Sequence, residues 1–257
     1  VPIGKPGKPA GQPSGARLIN VISAVTKVIT GVLTDRAQFQ ADEDLTQFGF
    51  RSGLGVTHAI VYRECSRRAL ARHRCSFVKV LLDIAEAFPS VDLRCLSAVE
   101  ADAEGISGHA RRLLIGSAQS SNVRLEAGES MEMGVRTGAR QGDVPGPPLF
   151  SSCFRHVRGD TLQALHSQGL AHDHWVGDTL QGGYEEIPAC QVSYADDNEL
   201  WSRVPPGAPA SSFAALAETL VDTFARVCEP WNLRVNRAKT EVLFRPSGAG
   251  SVTAVAQ

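Results

Sequence analysis

The sequence predicts an α+β fold. Three observations carry that expectation: an apolar, β-branched run that ends on a carboxylate, a strand–turn–strand with two aspartates in its turn, and amphipathic helical stretches between them. At 257 residues and 43% hydrophobic content, the chain can bury one large domain, or one domain with two lobes. The formal net charge is −1, so there is no overall basic excess of the kind that drives non-specific nucleic-acid binding. Any such grip must be local, and the densest basic patch is Arg63, Arg67, Arg68, Arg72 and Arg74.

Taken in order, residues 1–16 are too rich in Pro and Gly for a helix. A helix is predicted within 17–40 from about Val21, with Val21, Val25, Val28, Ile29 and Val32 on its apolar face. Residues 47–55 (QFGFRSGLG) read as a glycine-rich turn. A second helix follows over 56–74, with Ile60 and Cys65 inward and the arginines outward. SFVKVLLDI (76–84) reads as a buried strand. Residues 92–120 predict one or two helices, and 121–138 a hairpin around Ala127 and Gly128. A Gly/Pro-rich turn opens 141–154, which then turns helical. QVSYADDNELW (191–201) reads as strand, acidic turn, strand, followed by a loop at 203–210. Ser211 or Ser212 is expected to cap the next helix, whose apolar face is Phe213, Leu216, Leu220, Phe224 and Val227. Two short strands flank NRAKT, and 246–257 is expected to be a frayed tail.

Six scattered cysteines (65, 75, 95, 153, 190 and 228) have no zinc-ligand spacing and read as reduced thiols of an intracellular protein. His172 and His174 flank Asp173 and are expected in a solvated loop. No apolar run approaches the roughly 20 residues needed to cross a bilayer.

Asp83 ends the buried strand, and Asp196 and Asp197 occupy the hairpin turn. Adjacent strands lie about 4.8 Å apart, so pairing these two would set the carboxylates side by side. Clustered carboxylates do not easily all ionise. A divalent cation relieves that conflict, and hard oxygen ligands favour Mg²⁺, with Mn²⁺ as a substitute. Two such ions about 4 Å apart stabilise the attacking and leaving oxygens of a phosphoryl transfer. Asp-Asp-Asn is also ordinary turn chemistry, and Asp83 also fits a helix cap.

Six segments point further. LLDIAEAFPSVD (81–92), GARQGDVPGPPLF (138–150), YADD (194–197) and LRVNRAKTEVLF (233–244) resemble, in order, four palm motifs of reverse transcriptases of the non-LTR retrotransposon and group II intron type. VPIGKPGKP with RLINVISAVTKVI, and QFGFRSGLGVTHAI, resemble the family's finger motifs. The resemblance implies a right-hand polymerase fold of fingers and palm, with an antiparallel palm sheet and the thumb missing. The implied domain is 1–245, with fingers at about 1–75 and 95–135 and palm at about 76–94 and 136–245.

The resemblance also implies roles. Asp83, Asp196 and Asp197 would be catalytic and bind metal, with the Ile84 carbonyl helping. Lys239 would act near the leaving pyrophosphate. Phe88 would lie under the sugar and disfavour a ribose 2′-OH. Gln141 and Gly142 would line the nucleotide and template pocket, and Arg51, Arg17 and Lys27 would contact triphosphate or template. As plain residues, Phe88 is a core aromatic and Lys239 a solvated lysine. The implied partners are an RNA template, a DNA primer and dNTPs, with no membrane, and further domains come from a longer parent protein.

Departures from the family pattern are Glu86, Pro89, Leu54, Asn198 and the run Val144, Pro145, Gly146, with Pro147 and Pro148 at the start of a predicted helix. They leave a second expectation standing, a decayed retroelement fragment that keeps the fold and weak nucleic-acid binding. An RNA-dependent RNA polymerase is the rival enzyme, opposed by Ala195 before the aspartates and by Phe88. A structural domain with an incidental acidic turn is the rival outside enzymes.

Overall fold

The computed structural model describes residues 2–4, 16–18, 22–39, 46–72, 75–92, 103–104, 107–124, 130–134, 138, 142–178, 183–188, 190–205 and 208–246. In chain order the elements begin with β1 (Pro2–Gly4), β2 (Ala16–Leu18), α1 (Ala24–Arg36), β3 (Gln38–Phe39) and α2 (Val56–Arg72). Then come β4 (Ser76–Leu82), β5 (Ile84–Ala85), α3 (Ala87–Ser90), β6 (Ala103–Glu104), α4 (Gly108–Gln119), β7 (Ser120–Arg124) and β8 (Ser130–Gly134). The remainder are α5 (Gly146–Ser167), β9 (Asp173–Asp178), β10 (Gly183–Pro188), β11 (Gln191–Tyr194), β12 (Asp197–Val204), α6 (Ala210–Cys228), β13 (Arg234–Val235) and β14 (Glu241–Arg245). The α+β class and the antiparallel sheet expected from the sequence are both present.

The chain forms two compact units, Val1–Ala41 with Glu86–Phe154, and Asp42–Ala85 with Arg155–Gln257. The segment expected as fingers, 1–75, is divided between them: α2 and the 47–55 turn belong to the second unit. That unit is built on a four-stranded sheet of order β11-β12-β4-β14. Its pairs are all antiparallel. β4 is central and largely buried, as its mostly apolar run requires. Phe77 packs with Leu70 of α2 and with Trp201, while α6 lies against β4 and β12. Lys79 is the polar exception in β4. Its Nζ pairs with Glu199 Oε2 at 2.8 Å and lies 5.0 Å from the Trp201 ring centre. Burial pushes its pKa down, and Glu199 opposes that.

Several expectations need correction. On α2, Ile60 and Cys65 are exposed. The inward line is instead Ala59, Arg63, Ser66 and Leu70, because Arg63 turns toward Glu199 and bonds it at 3.0 Å. α6 starts at Ala210 with Pro209 as its N-cap and no side-chain cap, so Ser211 and Ser212 fall inside its first turn. Its predicted apolar face holds: Phe213, Leu220 and Phe224 are buried, and Leu216 and Val227 are half-buried. β12 runs on to Val204, so the loop after it starts two residues later than predicted. His172 is buried, not solvated. Among the described cysteines, none of which forms a disulfide, Cys153, Cys190 and Cys228 are buried and Cys65 exposed. Burial pushes the Cys228 thiol up to about 12.

In the first unit, β1 pairs with β2, β3 with β6, and β7 with β8, all antiparallel. The predicted hairpin at 121–138 is present, and its turn lies outside the described residues. Ser23 caps α1 by accepting from the Thr26 amide at 3.2 Å. The valine face of α1 is not core: Val25, Val28, Ile29 and Val32 are exposed. Leu33 and Ala37 instead pack with Leu114 of α4. Pro147 and Pro148 do not disrupt α5, since they sit in its first turn, where no intrahelical N–H donor is needed.

Candidate active site

The second unit assembles the acidic residues. In the β12–β4 register, Asn198 faces Leu82. One step further places Asp197 opposite Asp83. Asp83 sits between β4 and β5, and β5 pairs with β13, so both its chain neighbours are held by sheet. Its carboxylate is tied down as well: the Asn236 side chain donates to Oδ2 at 3.1 Å, and the Asn236 amide donates to the Asp83 carbonyl at 2.8 Å. Lys239 Nζ stands 3.3 Å from the same Oδ2. Asn236 was not among the residues expected from sequence, although it opens the N-x-x-K-T core that signalled Lys239.

Asp196 lies in the two-residue turn between β11 and β12, and Asp197 is the first residue of β12. Asn198, one of the departures from the family pattern, is buried behind this turn. Its side chain donates to the Asp196 carbonyl at 2.7 Å, and its Oδ1 accepts from the Ser193 hydroxyl at 2.5 Å. The three carboxylates feel one another. Asp197 keeps an exposed face, yet partial burial pushes its carboxyl above the usual range. The charges of Asp196 and then Asp83 add to that, and Lys239 opposes it.

Asp83, Asp197 and Lys239 line one cavity of about 680 Å³, with Val56, Ala59 and Arg63 of α2 across from them. Arg51 bonds the Gln47 carbonyl through Nη1 at 3.1 Å, in the same unit. Ile84 is buried and register-paired with Val235.

The remaining predicted residues belong to the first unit. Phe88 is stacked on Phe150 at 4.4 Å, the first step of an aromatic column that continues to Phe154. Gly142 has φ 96, a backbone that a side chain would strain. Gly138 has φ 98, and a Cβ there would come within 2.8 Å of the Pro89 carbonyl oxygen. The Pro89 departure is thus seated against a bare glycine. Lys27 is exposed on α1, Arg17 lies in β2 opposite Ile3, and Gln141 is outside the described residues.

Among the described residues, no group of three or more His, Cys, Asp or Glu is arranged to hold a metal ion as it stands. The donor chemistry nevertheless fits a hard divalent cation: all three candidates are carboxylates, and their mutual repulsion is of the kind such an ion discharges.

An antiparallel sheet with one carboxylate just past its central strand and two at the adjoining hairpin, with a lysine at the rim, is the arrangement expected of a polymerase palm. The chain belongs to the reverse transcriptase (RNA-dependent DNA polymerase) family, whose model matches residues 3–252. Solved structures agree in fold. Apo telomerase from Candida tropicalis, truncated from its C-terminal domain, matches with TM-score 0.57 and 12% identity over 87% of this chain and 41% of that one. Telomerase from Candida albicans in complex with a TWJ fragment of telomeric RNA matches with TM-score 0.54 and 12% identity over 88% and 35%. A further apo telomerase from Candida tropicalis gives 0.53 and 8% over 86% and 36%. The chain therefore spans well under half the length of these neighbours, and at such identities the likeness is one of fold. No curated protein matches the sequence.

Proposed function

We propose that this chain is the core of an RNA-directed DNA polymerase of the non-LTR retrotransposon or group II intron type. The carrying observation is the meeting of Asp83, Asp197 and Lys239 on one cavity, reached from three separate stretches of sequence. The assignment to that type rests on the six ordered segments, which run from the basic Pro/Gly-rich start to N-x-x-K-T.

In the proposed reaction, a primer 3′-OH attacks the α-phosphate of an incoming dNTP paired to an RNA template, and pyrophosphate leaves. Divalent ions held by Asp83, Asp196, Asp197 and the Ile84 carbonyl would supply charge stabilisation for the attacking and leaving oxygens. The protein's share is positioning. Asn236 and the sheet fix Asp83 from both sides, which keeps reorganisation small at the moment of reaction. Lys239, with a side chain 68% exposed, can leave Asp83 and meet the negative charge of the departing pyrophosphate. Phe88, braced by Phe150, would present a fixed ring under the sugar and clash with a 2′-OH.

Primer extension tests the reading. Purified protein, primed RNA, dNTPs and Mg²⁺ or Mn²⁺ should yield extended primer, and Asp196→Asn should abolish it. Extension that survives in Asp196→Asn would remove the acidic turn from the mechanism. A chain that extends no primer, with or without a family thumb fused to its C-terminus, would leave the decayed-fragment reading.

A further inference from the structure

Ala195 is an L-residue held at φ 58, in the left-handed region, immediately before the aspartate pair. An alanine does not take that conformation unaided, so something must hold it. The holder comes from 148 residues earlier in the chain. Gln47 is 5% exposed, and its side chain is spent on this one turn. Oε1 accepts from the Ala195 amide at 3.1 Å and from the Gly49 amide at 2.8 Å, while Nε2 donates to the Ala195 carbonyl at 3.1 Å. One amide side chain therefore satisfies both backbone groups of Ala195, as a neighbouring strand would.

The segment around Gln47 is seated to allow this. The Ser193 amide donates to the Thr46 carbonyl at 2.8 Å, and the Phe48 amide to the Ser193 carbonyl at 3.0 Å, so residues 46–48 run along the outer edge of β11. Thr46 is itself engaged by the guanidinium of buried Arg158. Gly49 closes over the turn so tightly that a Cβ would stand 2.2 Å from the Ala195 nitrogen. Asn198 holds the same turn from inside the sheet, through the Asp196 carbonyl.

We infer that Gln47 is a positioning residue for the polymerase reaction: it fixes the Ala195–Asp196 turn and thereby the place of the acidic pair. The inference deepens the proposed function and rests on it for its consequence, but the clamp itself can be read without activity.

The test uses Gln47→Met, close in size and without donor or acceptor, and Gln47→Glu, which keeps the acceptor and loses the donor. Hydrogen exchange should speed up at least tenfold at the Ala195 and Gly49 amides in Gln47→Met and stay protected in Gln47→Glu. The Val78 and Val80 amides of β4 should be unchanged in both, which a general loss of stability would not allow. Binding of Mn²⁺, followed by the EPR signal of the free ion, should weaken at least tenfold in Gln47→Met, and kcat for extension should fall while KM for dNTP holds. Wild-type exchange rates at Ala195 in Gln47→Met, or equal acceleration in β4, would overturn the clamp. Local acceleration with unaltered Mn²⁺ binding and kcat would overturn its positioning role. Should Gln47→Met fail to fold, loss of protection in Gln47→Glu would overturn it instead. Asp196→Asn, run beside them, isolates the underlying reading: if it leaves both Mn²⁺ binding and extension unchanged, the catalytic role of the acidic turn fails, while the exchange data still decide what Gln47 holds.

Discussion

Asp197 carries an electrostatic conflict that can be measured. Its folded-state pKa stands above the ordinary 3.8, through partial burial first and the neighbouring carboxylates second. Such an acid costs stability once ionised. The cost is absent below pH 3.8, where folded and unfolded chains both hold the proton, grows as pH rises from 3.8 to the folded value, and is complete above it. Asp197→Asn is therefore expected to raise Tm at pH 7 and to match wild type in strong acid. A Tm difference that does not change with pH would contradict the conflict. Asn236→Ala should act in the opposite direction. It removes the neutral donor to Asp83, and loss of a hydrogen bond to a charged group costs about 1–3 kcal/mol, at the low end here because Asp83 is partly exposed. Urea unfolding reads that cost, and extension should fall with it. The residues around the acidic turn differ in how legible they were. The aspartates and Lys239 stand in motifs and could be read from sequence. The role of Gln47 could not, although it opens a finger segment, because its side chain bonds the backbone of Ala195 and Gly49, and backbone atoms leave no mark on side-chain identity.

Among the elements, β4 and α6 were legible because their patterns leave one solution: a short run of mostly apolar, β-branched residues fits a strand covered on both faces, and α6 repeats its apolar residues at helical spacing. α1 shows where such reading stops. Periodicity reports that Val25, Val28, Ile29 and Val32 share a face, not that anything covers it, and in this structure that face is open. α2 fails for a related reason: its inward line includes buried Ser66 and half-exposed Arg63, a polar residue turned toward Glu199. The contrast between α1 and α6 is testable by substitution. Leu220→Ala, at a fully buried site on α6, should cost about 2–5 kcal/mol. Val28→Ser, on the open face of α1, should change stability by no more than about 0.5 kcal/mol. A large loss at Val28 in denaturant titration would show that the α1 face is covered in solution.

At the scale of the whole molecule, the proposed function asks a chain with a net charge of −1 to hold a polyanion. Three arginines of the basic patch read from the sequence are already paired with carboxylates of the protein. Arg63 pairs with Glu199, and Arg67 and Arg68 both bond Glu64, whose carboxyl they hold down to about 2. A guanidinium already paired with a carboxylate releases few counterions on meeting a phosphate, so salt dependence should be shallow. Glu64→Gln makes this a sharp question. The substitution keeps the shape of the side chain, raises the net charge by one unit and leaves Arg67 and Arg68 available. Exposed pairs of this kind add little to folding, so Tm should barely move. Binding to a primed RNA duplex should strengthen instead. The slope of log K against log salt should steepen by about 1–2, which is roughly 0.9 for each phosphate gained. An unchanged slope would mean that α2 faces away from the duplex, and that the grip comes from elsewhere on the protein.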